Sequence, residues 1–265
     1  MAKKFEELTI SDDFMFCILM QNPKYCKPFL ETILDIKIAR IVYPEAQKTI
    51  NLLAEAKSIR LDIYLEDNEN TVYNIEMQNT GGTNLPKRTR YYQGMIDLNL
   101  LEKGKDYTSL KQSYIIFVCT FDPFGLGKHV YTFENRCVQD QSLLLGDEAY
   151  KIILNTKGAI NDVRPELKKL LDFIDGKQPE DEFTRLLSEE IATIRKSEKW
   201  RLEYMKLELE YAEKYQQGMQ QEAVNVVGRM IDAGKLSEEE IAMYLDLPIE
   251  KIREMKNSLN KVKIV

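Results

Sequence analysis

The chain has 265 residues, of which 44% are hydrophobic and 30% charged, so it can bury a core and is unlike a disordered protein. Its formal net charge of −6 argues against coating DNA through bulk positive charge, although a local basic groove remains compatible with it. No apolar run approaches the roughly 18–20 residues of a membrane span, and the N-terminus lacks the apolar segment of a signal peptide. We therefore expect a cytoplasmic protein with no membrane partner.

The first part of the chain alternates between helical and strand patterns. Capping residues at 11–13 and an Asn-Pro pair at 22–23 each predict the start of a helix. Polar and apolar residues then alternate with period two over residues 58–65 and again over residues 71–78. The polar turn at residues 67–70 joins these two predicted strands into a hairpin.

A third helix is predicted from about Pro86 to Lys103, because proline favours its start and Gly104 its end. Residues 113–120 form a continuous apolar run of strand length, typical of a strand buried on both faces. Two further strands and a closing helix are predicted at residues 130–133, 150–154 and 165–174. The pattern indicates an α/β fold with mixed strand directions.

The composition changes after residue 175, which divides the chain into a predicted domain of residues 1–175 and a helical C-terminal region of residues 176–265. Residues 180–215 contain no glycine or proline and are dense in charged residues. They predict one long helix that packs on its own domain or on a second copy, and this helix is a candidate interface of a homodimer.

The last helices resemble a helix-turn-helix unit. Ser237 and Glu240 form a predicted capping box, and residues 249–259 form the final helix. If this helix reads DNA, the side chains that would do so are Lys251, Arg253 and Lys256. Helical pairs of this kind are also common packing motifs, so both interpretations remain open.

A candidate site lies on the predicted hairpin. Residues two apart on a strand share a face, so Glu76 and Gln78 point the same way, and Asp62 joins them if it lies opposite Glu76. Two carboxylates suit Mg²⁺ or Mn²⁺ and not zinc, and such an ion would polarise a phosphate and acidify an attacking water. The alternative is an ordinary hairpin with a polar, solvent-facing side.

The helix after the hairpin favours the first interpretation. Its first turns carry Lys87, Arg88, Arg90 and two tyrosines. The free backbone N–H groups at the start of a helix already favour the binding of phosphate, and these cations would strengthen it. We expect at least one of Tyr91 and Tyr92 to pack in the core and not against a base.

Other catalytic centres have little support. The four cysteines are widely spaced, and we interpret them as buried free thiols and not as zinc ligands or disulfides. With His129 as the single histidine, a zinc hydrolase centre or a Ser-His-Asp triad is disfavoured. His129 precedes a predicted strand and is expected at the surface or at a rim.

One motif spans the two predicted strands: thirteen residues separate Asp62 from Glu76, and Gln78 follows two positions later. This motif resembles that of the PD-(D/E)XK nuclease superfamily, in a form with glutamine in place of the usual lysine. Five surrounding motifs narrow the resemblance to the bacterial recombination-promoting nuclease and transposase family: Asp13-Phe14-Met15-Phe16, Arg60-Leu61-Asp62-Ile63, Asn74-Ile75-Glu76-Met77-Gln78, Arg88-x-x-Tyr91-Tyr92 and Gly104-x-x-Tyr107-x-x-Leu110. The resemblance covers roughly residues 5–173.

This resemblance implies a restriction-endonuclease-like mixed sheet flanked by helices. It also implies that Asp62 and Glu76 bind the metal, and that Gln78 orients the water or the scissile phosphate. Asp13 would support the metal side of the site, and Arg88 and Tyr91 would contact the phosphate backbone of DNA.

The implied function is metal-dependent endonucleolytic hydrolysis of DNA in recombination, mobile-element biology or defence. Two departures from the family bear on activity: Cys17 stands where relatives often carry lysine, and Gln78 has no charge. The alternatives are a catalytically silent DNA-binding protein, and an interaction module that uses the C-terminal helices and has a merely polar hairpin.

Overall fold

A computed structural model of the protein describes residues 3–43, 49–50, 59–60, 63–68, 70–81, 84–101 and 104–262. Contacts within the chain divide it into two compact units, residues 3–197 and the residues from 198 onward. The predicted domain boundary after residue 175 remains a prediction, and the contacts keep residues 176–197 with the first unit.

Eight α-helices occur in the described part of the chain. The first unit contains α1 (Asp13–Met20), α2 (Pro23–Leu34), α3 (Leu85–Leu100), α4 (Pro165–Ile174) and α5 (Glu182–Arg195). The second unit contains α6 (Glu198–Asp232), α7 (Glu238–Leu245) and α8 (Ile249–Val262). None of these helices combines the length and the apolar character that crossing a bilayer would require.

The strands belong to the first unit. They are β1 (Ile41–Val42), β2 (Thr49–Ile50), β3 (Ile59–Arg60), β4 (Ile63–Asp67), β5 (Val72–Gln78), β6 (Ser113–Cys119), β7 (Val130–Phe133) and β8 (Ala149–Asn155). Strands β2 and β3 form a separate antiparallel pair, and the other six form one sheet in the order β1-β4-β5-β6-β8-β7.

The six-stranded sheet has mixed directions. Strands β5, β6 and β8 are parallel to one another, whereas β4 and β7 run antiparallel to their neighbours β5 and β8. Helix α3 connects β5 to β6, because two parallel neighbours need a crossover and cannot be joined by a tight turn. The predicted hairpin and the predicted α/β fold class with a mixed sheet flanked by helices are therefore confirmed.

Both faces of the central strands are buried. On one face, Tyr64, Phe117 and other sheet residues form a core cluster with the inner side of α3, which includes Tyr92 and Ile96. On the opposite face of β4 and β5, the residues Ile63, Leu65, Ile75 and Met77 are buried as well. The polar residues of β5 therefore lie beneath a helix, because α3 covers the face that they share.

The charged segment at residues 180–215 is not one helix, so the prediction of a single long helix is wrong. Helix α5 ends at Arg195, and α6 begins at Glu198 and continues past residue 215 to Asp232. Two side-chain contacts anchor α5 before the break: the Arg195 Nε atom donates to the Leu8 carbonyl at 2.8 Å, and the Tyr25 hydroxyl donates to Glu190 at 2.7 Å. These contacts hold α5 against the N-terminal helices of the first unit, and no glycine or proline signals its end.

Candidate active site

The pairing of β4 with β5 sets the register of the hairpin. Ile63 lies opposite Ile75, and Tyr64 lies opposite Asn74. Asp62 lies outside the described residues, so its predicted position opposite Glu76 remains a prediction. The described pairs have the register that this prediction requires. In an antiparallel pair, the residue before Ile63 lies opposite the residue after Ile75, so continued pairing would place position 62 opposite position 76.

Glu76 lies within the sheet with only 2% of its surface exposed. Its Oε1 atom accepts a hydrogen bond of 3.3 Å from the Nδ2 atom of Asn74, a residue with no exposed surface. A buried carboxylate is costly in free energy unless charges or hydrogen bonds compensate it. The alternative of an ordinary hairpin with a polar, solvent-facing side is therefore wrong for β5.

Arg88 reaches from the first turn of α3 to the end of β5. Its Nη1 atom donates to the Oε1 atom of Gln78 at 2.6 Å, and its Nη2 atom lies 3.5 Å from the Oε2 atom of Glu76. We call Glu76, Gln78 and Arg88 the β5–α3 cluster. Because the Arg88 guanidinium contacts both Glu76 and Gln78, this cluster places a cation and a carboxylate at the same point of the sheet.

Aromatic rings hold the guanidinium in place. Its Cζ atom lies 5.1 Å from the ring centre of Phe117 and 5.4 Å from that of Tyr92, and its Nη2 atom donates to the Tyr92 hydroxyl at 2.9 Å. Phe117 is the β6 partner of Glu76. Cation–π contacts and a fixed fork of donors orient an arginine for planar, bidentate recognition of phosphate. The expectation that one tyrosine of the pair packs in the core holds for Tyr92, which is buried.

Gln78 is half-buried, and both ends of its amide are engaged. Its oxygen accepts from Arg88, and its Nε2 atom donates to the Met77 carbonyl at 2.6 Å. Cys119 is the β6 partner of Gln78, and burial raises the pKa of its thiol to about 12, although the Arg88 charge works in the opposite direction. The thiol is therefore protonated at neutral pH and cannot act as a thiolate nucleophile.

Asp13 is the first residue of α1 and is exposed. The turn before it approaches the end of β5, because the Asn79 side-chain amide donates to the Ser11 carbonyl. Partial desolvation of its carboxylate and the neighbouring charge of Asp12 raise the pKa of Asp13. Its predicted role beside a metal remains a prediction, and Cys17 is buried one turn further along the helix.

Lys87, Arg90 and Tyr91 are exposed on α3, whereas Thr89 between them is buried. Their side chains lie outside the β5–α3 cluster, on the surface beside it. This position suits contact with an extended, charged ligand better than contact with a reacting atom.

Each of the three cations proposed to read DNA forms an ion pair with a carboxylate of the second unit. Arg253 and Lys256 both contact Glu238, through Nε at 3.2 Å and Nζ at 2.6 Å respectively. Lys251 lies 3.1 Å from Glu254 within the same helix. A DNA phosphate would have to compete with these ion pairs, and the role in reading DNA remains a prediction.

His129 is buried, with 1% of its surface exposed, so the expectation of a surface position is wrong. Its Nδ1 atom lies 2.7 Å from Asp162, and its ring packs so tightly on Gly158 that a Cβ atom there would meet it at 2.4 Å. The space that Gly158 leaves explains the burial, and no sequence pattern signalled it. Asn74 is a second residue whose contact was not expected, although it shares the alternation of β5 with Glu76.

Within the residues that the structure describes, no three or more His, Cys, Asp and Glu side chains group together as ligands of a metal ion. Glu76 supplies a buried carboxylate, the donor type that hard cations prefer, and the second predicted acid, Asp62, lies outside the described residues. The fit of such a cation therefore depends on one carboxylate of β5 and on the register of its neighbour β4.

No curated protein and no solved structure matches the sequence. A family model described as PD-(D/E)XK nuclease family transposase matches residues 12–260, which include both units and the β5–α3 cluster. Together with the mixed sheet and the buried acid on β5, this match shows that the chain belongs to the PD-(D/E)XK nuclease family of transposases.

Proposed function

We propose that this protein is a metal-dependent endonuclease that hydrolyses phosphodiester bonds of DNA. The observation that supports it best is the burial of Glu76 beside Gln78 and Arg88 at the end of a central strand. A structural role would not require a carboxylate at this position, because an apolar residue would be buried there at lower cost.

Metal binding is assigned to Glu76 and Asp62. In this proposal the antiparallel register of β4 and β5 continues for one step beyond Ile63 and Ile75, so that residues 62 and 76 share a face. Mg²⁺ or Mn²⁺ held there would supply Lewis-acid polarisation of the phosphate and a lower pKa for water. Asp13 is assigned a supporting position at the same end of the sheet.

The protein side chains bind and orient the phosphate. Arg88 donates to its oxygens from a position that the rings of Tyr92 and Phe117 already hold. Gln78 provides a donor and an acceptor but no charge, so its part is orientation of the water or of the phosphate. Lys87, Arg90 and Tyr91 contact the DNA backbone on either side of the scissile bond.

The experiment is a plasmid-nicking assay on the full chain with Mg²⁺, with Mn²⁺ and with a chelator. Cleavage should require the ion and should be lost in Asp62→Asn and in Glu76→Gln. Isothermal titration with Mn²⁺ should show that each of these variants binds the ion more weakly. Glu210→Gln, which removes an exposed carboxylate of α6, serves as the matched control.

Three results separate this proposal from the alternatives. DNA binding without cleavage under every metal condition would favour the catalytically silent DNA-binding protein. Cleavage that survives in Asp62→Asn and Glu76→Gln would place the reaction elsewhere. A chain that neither binds nor cuts DNA would favour the interaction module.

A further inference from the structure

Helix α6 carries an exposed stripe of five apolar residues and one glutamine. Its six residues are spaced alternately by three and four positions: Leu202, Met205, Leu209, Ala212, Gln216 and Met219. All six are exposed, and the four large apolar members are between 55% and 65% exposed. We call this stripe the α6 seam. Large apolar side chains repeated on one line of a helix are characteristic of an interaction surface.

The spacing of the seam residues matches the repeat of a coiled coil. Spacings of three and four average 3.5 residues, which is the repeat that keeps one stripe of a helix against a second helix in a coiled coil. The seam spans 18 residues, or about 27 Å of helix at 1.5 Å per residue. Among the described residues, Ala223 and Val224 of α6, beyond the seam, pack against the cluster of Val227, Ile241 and Ile252.

We propose that the α6 seam binds the α6 seam of a second copy of this chain in an antiparallel, two-stranded coiled coil. A twofold axis then crosses the helix between residues 210 and 211. Leu209 packs on Ala212 of the second copy, Met205 on its Gln216, and Leu202 on its Met219. The proposal goes beyond the nuclease activity and does not depend on it.

The sizes of the seam residues favour this orientation. In the antiparallel pair the large Leu209 faces the small Ala212 in both central layers, so that their volumes are complementary. A parallel pair would instead place Ala212 opposite Ala212 and Gln216 opposite Gln216. That arrangement leaves a void between the two alanines, which lowers the packing energy. It also buries two glutamine amides in the next layer, and the loss of their contacts with water is unfavourable.

The charges beside the seam favour the same orientation. In the antiparallel pair, Lys206 lies beside Glu213 of the second copy, and the twofold axis repeats this attraction. A parallel pair would bring Lys206 toward Arg201 and Glu208 toward Glu213, which are contacts between like charges. Lys206 and Glu213 are both exposed and form no ion pair within the described residues.

Light scattering on the full chain across a dilution series is the first test. The wild-type chain should have twice the chain mass of 30.9 kDa, and Leu209→Asp should have that mass once. Leu98→Asp, which changes an equally exposed leucine of α3, is the matched control and should leave the dimer intact. Circular dichroism should show unchanged helix content, because Leu209 is 65% exposed within one chain. A wild-type chain that is monomeric at every concentration would overturn the proposal.

Charge reversal tests the orientation. Lys206→Glu and Glu213→Lys should each weaken the dimer, with a Kd at least about tenfold higher, because two attractive contacts become repulsive. The double variant should restore the Kd to within about threefold of the wild-type value. Lys214→Glu, a reversal on the outer side of the helix, is the control and should change little.

A parallel pair would respond in the opposite sense to the single variants. Lys206→Glu would relieve its contact with Arg201, and Glu213→Lys would relieve its contact with Glu208, so both would tighten the dimer. That result, or a dimer that Leu209→Asp leaves unchanged, would overturn the antiparallel seam. Loss of nuclease activity alone would test the proposed function and not this one.

Discussion

Glu76 in the first unit and Glu238 in the second both lie near arginine, yet their surroundings are opposite. Glu238 is partly exposed and has short contacts, at 3.2 Å to Arg253 and 2.6 Å to Lys256. Glu76 is buried, and its contacts with Arg88 and Asn74 are long, at 3.5 Å and 3.3 Å. The close pairs therefore lie where water already screens the charge and pairing contributes little.

We interpret this difference as one between a structural carboxylate and the carboxylate of the proposed active site. A buried carboxylate is costly unless charges or hydrogen bonds compensate it, so its presence calls for a functional explanation, whereas a partly exposed ion pair does not. The length of an ion pair is thus a poor guide to a site, and burial is a better one.

The same isosteric change at the two acids should give the largest contrast. Glu76→Gln should lower cleavage by at least about 10³-fold, because it removes the negative charge to which we assign metal binding while keeping the shape of the side chain. Glu238→Gln should change cleavage by less than about threefold. Initial rates of plasmid nicking measure both, and equal losses would remove the distinction drawn between these acids.

Gln78→Ala should lower turnover by about 10²-fold, on the scale of losing one preorganised donor. Metal affinity, measured by titration with Mn²⁺, should change little, because we assign metal binding to the carboxylates of Asp62 and Glu76. Gln78→Lys should retain measurable cleavage, since charge can substitute for orientation where other members of the superfamily use lysine. Unchanged turnover in Gln78→Ala would place the orienting group elsewhere.

Arg88→Lys should lower kcat/KM about tenfold, because lysine keeps the charge and loses the planar fork that contacts Gln78 and Tyr92. Arg90→Lys, two residues along the same helix, makes the same change on an exposed side chain and should change kcat/KM less than twofold. A larger effect at Arg90 than at Arg88 would show that the surface of α3, and not the buried cluster, holds the phosphate.

The smallest effect belongs to the second unit. Ser237→Ala removes the hydroxyl that accepts the Glu240 N–H at 3.2 Å in the capping box of α7. The loss should destabilise that helix by about 1 kcal/mol and speed hydrogen exchange of its amides about fivefold. Mass spectrometry measures this exchange, and nicking rates should stay constant. Ser188→Ala in α5 should leave the exchange of α7 unchanged.

The alternation of polar and apolar residues was sufficient to predict the hairpin of β4 and β5. Side chains of a strand point to opposite faces in turn, so the apolar positions determine which residues share each face. The alternation could not predict that the other face is covered as well, since the covering helix belongs to a later segment. The contact between Arg88 and Gln78 depends on how α3 crosses β5, which no local pattern encodes. The break after Arg195 was missed because the segment has no glycine or proline there, and the contacts of α5 with Leu8 and Tyr25 are distant in sequence.

Strand β5 is hydrogen-bonded on both sides, to β4 and to β6, and this has a consequence for the motions of the site. Local fraying begins at edges and termini, so the backbone beneath Glu76 and Gln78 can open only with much of the sheet. Its amide protons should be among the slowest to exchange in the chain. Under the proposed function, DNA reaches the β5–α3 cluster over a strand that stays fixed, so that movements of side chains and of the DNA itself accommodate it.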